Sequence, residues 1–180
     1  PVHMEVDMAV FEELAKQKNR KLSPSASLFV NTVMRKLEKD GLVTKVSHVR
    51  GASWALPVRK ADADPAGHIL TQFRLTVDLR TVNKYTKPMV FPMPNLEAIK
   101  EKVAGAAFFG KMDADNGFWQ LALSEDCRQF YCIMTDEGVW ESKRLLQGSR
   151  NASGPFHAAM MEALGTDITD KHAVVYIDDI

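Results

Sequence analysis

The 180-residue chain suits one domain or two small ones and can bury a core without covalent staples. Its 46% hydrophobic and 26% charged residues exclude a disordered tail or a fibre, and no window of about 18 apolar residues offers a membrane span. The formal net charge of +0 conceals 17 Lys+Arg against 11 Asp+Glu in residues 1–110 and 6 against 12 in residues 111–180, a pattern that suits a polyanion held against carboxylates, with two solvated faces as the plainer alternative.

Taken in chain order, residues 7–17 read as a helix. Ser23 followed by Pro24 is an N-cap with proline at N1, Val30, Val33, Met34 and Leu37 recur at helical spacing, and Gly41 stops the run. Arg35, Lys36 and Lys39 fall on or near the outer side of that helix, within a segment (16–60) of 11 basic and 2 acidic residues. Residues 52–60 and 73–79 read as strands joined by a long hairpin loop containing Asp-Pro and Gly. Pro88, Pro92 and Pro94 make 85–95 an extended connector, and a short helix is expected over 95–103. The apolar run 106–113 ends in an acid. Residues 129–135 and 138–142 form a hairpin closed near Asp136–Gly138. Phe156, Ala159, Met160, Ala163 and Leu164 mark a second strong helix ended by Gly165. Ala173–Ile177 reads as an apolar strand entering Asp178–Asp179. The class is α+β, a sheet packed on helices. Cys127 and Cys132, with no CxxC pair, give no disulfide framework and no expectation of structural zinc.

Two apolar runs thus end in carboxylates, one at Asp113 and Asp115, the other at Asp178 and Asp179. Acids brought together repel unless a cation neutralises them, and hard oxygen donors suit Mg²⁺. Asp113 with Asp178 is the expected main ligand pair, Asp179 a third ligand, and the Ala114 backbone carbonyl a further donor. Strand alternation turns Asp178 and Asp179 to opposite faces unless a turn begins there. The plainer alternative is that Asp-Asp opens a turn and Asp113 caps a helix over 115–121.

VVYIDD resembles the YxDD box of reverse transcriptases. Ser23–Pro24 with the basic helix and DGLV (40–43), SWALPVRKAD (53–62), FRLTVDLRTVNKYT (73–86), FFGKMDADNGFWQLAL (108–123) and LLQGSRNASGPFHAAM (145–160) resemble, in order, the boxes of gypsy-type LTR retrotransposon enzymes. The resemblance covers nearly the whole chain. It implies an RNA-directed DNA polymerase of right-hand fold, with fingers in 1–87 and 121–151, palm in 88–120 and 152–180, and no thumb within these residues. Asp113, Asp178 and Asp179 match the catalytic acids, serving two Mg²⁺ ions for which Mn²⁺ can substitute. Lys60 and Arg74 match residues touching the triphosphate, Asn116 and Gly117 the turn whose backbone meets it, Phe118 the aromatic gate beneath the sugar, and Gln147 the residue positioning the nucleotide. Gly148, Tyr176 and Ile177 match positions near the primer and template. Asp78 and Arg80 match landmarks read as structural, and Trp119 is read as core.

The implied partners are a primed RNA or DNA template, deoxynucleotides, and the thumb, ribonuclease H and integrase segments of one polyprotein, with an intracellular particle or the nucleus as the setting and no membrane. The proline at residue 1 and the stop just after the acids read as the ends of a fragment. The alternative is a catalytically incompetent nucleic-acid-binding remnant or domesticated scaffold.

Overall fold

The computed structural model describes the chain apart from Lys18, Asn19, Pro65, Met93, Pro94, Asp115 and Asp178, and without the side chain of Asp170. Among the described residues the elements run α1 (Val10–Leu14), α2 (Pro24–Lys39), β1 (Val43–Val46), β2 (Ser53–Arg59), α3 (Ile69–Gln72), β3 (Phe73–Val77), α4 (Arg80–Tyr85), α5 (Leu96–Val103), α6 (Gly117–Gln120), α7 (Glu125–Arg128), β4 (Cys132–Thr135), β5 (Gly138–Ser142), α8 (Ser153–Leu164) and α9 (Thr166–Lys171). The long helix α2 starts where the sequence requires: Ser23 is extended, its hydroxyl accepts the Ala26 N–H at 3.3 Å, and Pro24 holds N1. It ends as Gly41 takes φ 73°, which a residue bearing a Cβ resists.

The five strands form one sheet in the order β1-β5-β4-β2-β3. Every pairing is antiparallel except β2 with β4, where Ser53 and Trp54 run parallel to Ile133 and Met134. β4 ends at Thr135 and turns into β5, which keeps that parallel ladder short, and β2 can therefore hold Pro57. Lacking an N–H, it sits beyond the β4 pairing, where β2 is bonded to β3 alone. The core gathers Trp140 of β5, Ile133 of β4, Val30 and Met34 of α2, and Leu14, Tyr131, Leu123, Leu145 and Leu146 around them. Phe11 stacks on Phe130 with ring centroids 5.2 Å apart, fixing α1 against the segment leading into β4. Burial pushes both the Tyr131 hydroxyl and the Cys132 thiol up to about 12.

Several expectations need correction. The helix expected over 7–17 is regular only over Val10–Leu14. The loop between β2 and β3 holds one helical turn, α3, capped by His68, whose ring nitrogen accepts the Leu70 N–H at 3.3 Å. The short elements β1, α4, α7 and α9 complete the chain and were not anticipated. More consequential, neither acid-tipped run is a regular strand. Residues 106–112 are exposed, with Phe108 at 94% and Phe109 at 72%, and among the described residues the ladder contact there is confined to Met112 and Asp113. Likewise 173–177 is paired only through Tyr176. An apolar run states what a segment gains by burial, not which surface is present to bury it.

Asp78 and Arg80, expected to be structural, form an ion pair. The Asp78 carboxylate accepts from Arg80 at 2.7 and 2.8 Å and from Arg20 at 3.2 Å, tying the start of α4 to the chain before α2. The Arg80 guanidinium is the main reason its carboxyl lies below the ordinary 3.8. A depressed folded value means stability that is present above 3.8 and lost as pH falls through the folded value. Asp78→Asn should therefore cost about 1 kcal/mol at pH 7, since both arginines are largely exposed. In urea unfolding, the gap between the two proteins should close below pH 3.8.

Candidate active site

The two acid-bearing runs meet through backbone bonds. Met112 donates to Ile180 at 2.8 Å and accepts from it at 3.0 Å, which sets Asp113 opposite Asp179 as antiparallel partners. Adjacent to a hydrogen-bonded pair, such residues carry their side chains on the same face and at the closer of the two cross-strand spacings. Tyr176 and Asp179 exchange bonds of 2.8 and 3.1 Å, so the chain reverses between them, with Ile177 at φ 62°. It is this reversal between Tyr176 and Asp179 that brings Asp179 to Asp113. Asp178 lies outside the described residues, as does Asp115. Lys111 reaches across the pair, its Nζ 2.9 Å from Asp179 Oδ1. A lysine therefore balances one of the two opposed charges. The pair is 72% and 48% exposed, so breaking it costs little.

Beside Asp113 opens a cavity of about 700 Å³. Asp113, Ala114, Asn116, Gly117 and Phe118 form one wall, and Lys60, Arg74 and Gln147 others. Pairing explains how the two cations converge. Val58 faces Arg74 across the β2–β3 ladder, the Lys60 N–H bonds the Gln72 carbonyl at 2.9 Å, and a strand returns to the same face every second residue, so Lys60 and Arg74 share a face. Both are exposed. Trp119, read as core, is half-buried against the core and also lines this cavity. Gly148, Tyr176, Ile177 and Asp179 are not among its described lining residues.

Two local devices shape the wall. Asn116 takes a left-handed conformation (φ 50°, ψ 36°) and its carbonyl accepts the Trp119 N–H at 2.9 Å, turning the chain sharply into α6. Gly117 is buried where a Cβ would come within 2.4 Å of the Phe156 ring. That ring packs against Phe118 with centroids 4.8 Å apart and the planes tilted by 33°. The Phe118 ring is thus held from behind by α8 while facing the cavity.

Sequence reasoning missed two contributors. Asn83 of α4 donates to the Gly148 carbonyl at 2.8 Å and accepts the Arg150 N–H at 2.7 Å, bracing the turn that carries Gln147. Gly148 itself takes φ 87°. Lys36, expected on the outer side of α2, lines the cavity with Asp40, so this end of α2 adds a further cation and a further acid to the wall. The helical period placed Lys36 outside the core but gave no sign that the outer face met a cavity.

Gly117→Ala should push the Phe156 ring and destabilise the chain by about 1–3 kcal/mol. The check is the urea midpoint, alongside the Phe118–Phe156 ring contact seen by NMR. Asn83→Ala should leave two polar backbone groups of the 147–150 turn without their side-chain partner, at about 1–2 kcal/mol, read as faster amide exchange at Arg150.

A sequence profile described as "Reverse transcriptase (RNA-dependent DNA polymerase)" matches residues 58–180. The retrovirus-related Pol polyprotein from transposon gypsy of Drosophila melanogaster is 33% identical over 153 residues, 84% of this chain and 14% of that polyprotein. The corresponding polyprotein from transposon 297 of the same fly is 29% identical over 160 residues, 88% of this chain and again 14% of the relative. The chain thus spans about a seventh of the length of either. Among solved structures, a foamy viral protease–reverse transcriptase in complex with ds DNA superposes with a TM-score of 0.74 at 22% identity, covering 91% of this chain and 27% of that one, a likeness of fold.

Proposed function

The chain belongs to the reverse transcriptase (RNA-dependent DNA polymerase) family, and from that premise we propose that the cavity beside Asp113 is the deoxynucleotide site of an RNA-directed DNA polymerase within a gypsy-like retrotransposon polyprotein. The observation that supports this reading above others is the pairing of Asp113 with Asp179 at the rim of a cavity that also holds two strand-borne cations and an aromatic face. The β1–β5 sheet with α2 then corresponds to fingers, 1–87 and 121–151, and the acids lie in palm segments, 88–120 and 152–180.

Enzymes of this family use divalent metal ions, and the donors fit Mg²⁺: hard carboxylate oxygens from Asp113 and Asp179 on one face, with Asp178 and the Ala114 carbonyl as further ligands. Two such ions would supply an activated primer hydroxyl and a neutralised pyrophosphate leaving group. The chain's own residues do the rest. Lys60 and Arg74 meet the triphosphate as a point charge and a planar fork. The turn at Asn116 and Gly117 offers backbone to the phosphates. Phe118, unable to retreat because Phe156 backs it, closes the space a ribose 2′-hydroxyl needs. Gln147, on a turn braced by Asn83, bears on the base pair, while Gly148, Tyr176 and Ile177 lie toward primer and template. The primer 3′-oxygen attacks the α-phosphorus in line and pyrophosphate leaves, so catalysis is positioning and charge stabilisation. Phosphate contacts to template and primer make binding salt-dependent and largely indifferent to sequence. The ds DNA held by the foamy viral relative supports a nucleic-acid partner here.

In a polyprotein enzyme containing this segment, Asp113→Asn should cut primer extension more than about 100-fold while duplex affinity is retained. Extension near the parent rate would overturn the ligand assignment. Duplex binding without extension by the parent would make the segment a nucleic-acid-binding remnant. Phe118→Val should admit ribonucleotides, measured as the ratio of kcat/KM for the two sugars, and an unchanged ratio would remove the gate role.

A further inference from the structure

We propose that His3, Asp126 and Cys127 form a binding site for a zinc-class divalent ion, separate from the cavity at Asp113. Their ligand atoms all lie within 4.8 Å of one another. His3 Nδ1 is 3.1 Å from Asp126 Oδ2 and 3.6 Å from Cys127 Sγ. Donors around a tetrahedral zinc ion with bonds of about 2.0–2.3 Å stand about 3.3–3.7 Å apart, so the two distances from His3 are close to that spacing, and Asp126 and Cys127, within 4.8 Å of each other, complete the set by adjustment of the exposed Asp126 side chain. An imidazole, a carboxylate and a thiolate are also the donor types zinc takes.

The three arrive from distant parts of the sequence. Val2 bridges Leu123 in parallel, its N–H bonding the Ala122 carbonyl at 2.7 Å and its carbonyl accepting the Ser124 N–H at 2.9 Å, which sets His3 over α7. Asp126 and Cys127 are consecutive residues of α7. An exposed His–Asp ion pair is common and by itself would indicate nothing. The distinguishing feature is the buried sulfur facing the pair. It already accepts the Met4 N–H at 3.1 Å, the kind of outer hydrogen bond that orients a metal-bound thiolate. On metal binding, the thiol proton passes to solvent and Sγ gives up its 3.2 Å bond to the Met4 carbonyl, keeping the N–H. The fourth position falls to water. Such an ion would join residues 1–4 to α7.

Titrating Co²⁺ into the 180-residue chain tests this, because a thiolate ligand gives a sulfur-to-cobalt charge-transfer absorption. One equivalent should develop the band, and Zn²⁺, not Mg²⁺, should abolish it. Cys127→Ser should remove it and Cys132→Ser should not. His3→Gln, at an exposed position, and Asp126→Asn should each weaken Co²⁺ binding by about 10-fold or more. Absence of the band at saturating Co²⁺, a band that survives Cys127→Ser, or His3→Gln binding as tightly as the parent would each overturn the proposal. If Cys127→Ser fails to fold by circular dichroism, the His3→Gln comparison decides alone.

Discussion

The exchange of backbone bonds between Met112 and Ile180 determines which charges can meet in the candidate active site. It fixes the register of a very short antiparallel contact, and register in a sheet is unforgiving: a slip of one residue turns every side chain to the opposite face. In the register observed, Asp113 stands across from Asp179, and the turn between Tyr176 and Asp179 supplies the reversal that makes this possible. Two carboxylates so placed repel, and the structure meets that repulsion with the Lys111 ammonium on one of them. The lysine contact is exposed and weak, so a divalent ion competes with it at small cost.

The remaining architecture serves as a frame around that contact. The β2–β3 ladder presents Lys60 and Arg74 on one face, α8 backs the Phe118 ring through Phe156, and Asn83 braces the turn at Gln147. These supports belong to three different parts of the chain. Phe156 and Asn83 are not ionisable groups, which is why a search for charge alone would pass over them.

Much of this frame is legible in the sequence, for identifiable reasons. Ser23–Pro24 marks the start of α2 because capping and a fixed φ are local properties that need no tertiary context. Gly165, at φ 74°, and Gly41 mark helix ends for the same kind of reason. The β4–β5 hairpin is legible through the turn at Asp136–Gly138. The helices α4, α7 and α9 were not legible, since a run of four to six residues carries too few turns to show a period. The runs 106–113 and 173–177 are apolar enough to read as strands, yet ladder bonds require a partner, and among the described residues only Met112, Asp113 and Tyr176 find one. The acids themselves were legible, and so was a turn near them as an alternative to a continuing strand, but not its position between Tyr176 and Asp179, because no local signal chose between the two. Absence of CxxC likewise said nothing about ligands contributed by residues 3 and 126–127.

The account's central claim, that Asp113 and Asp179 jointly hold a divalent ion, is tested most directly by a crystal of the chain soaked in Mn²⁺ and examined at the manganese absorption edge. The account predicts an anomalous peak within coordinating distance of both carboxylates, with the Lys111 ammonium displaced from Asp179. No peak between the two acids at saturating Mn²⁺, with Lys111 still on Asp179, would contradict it.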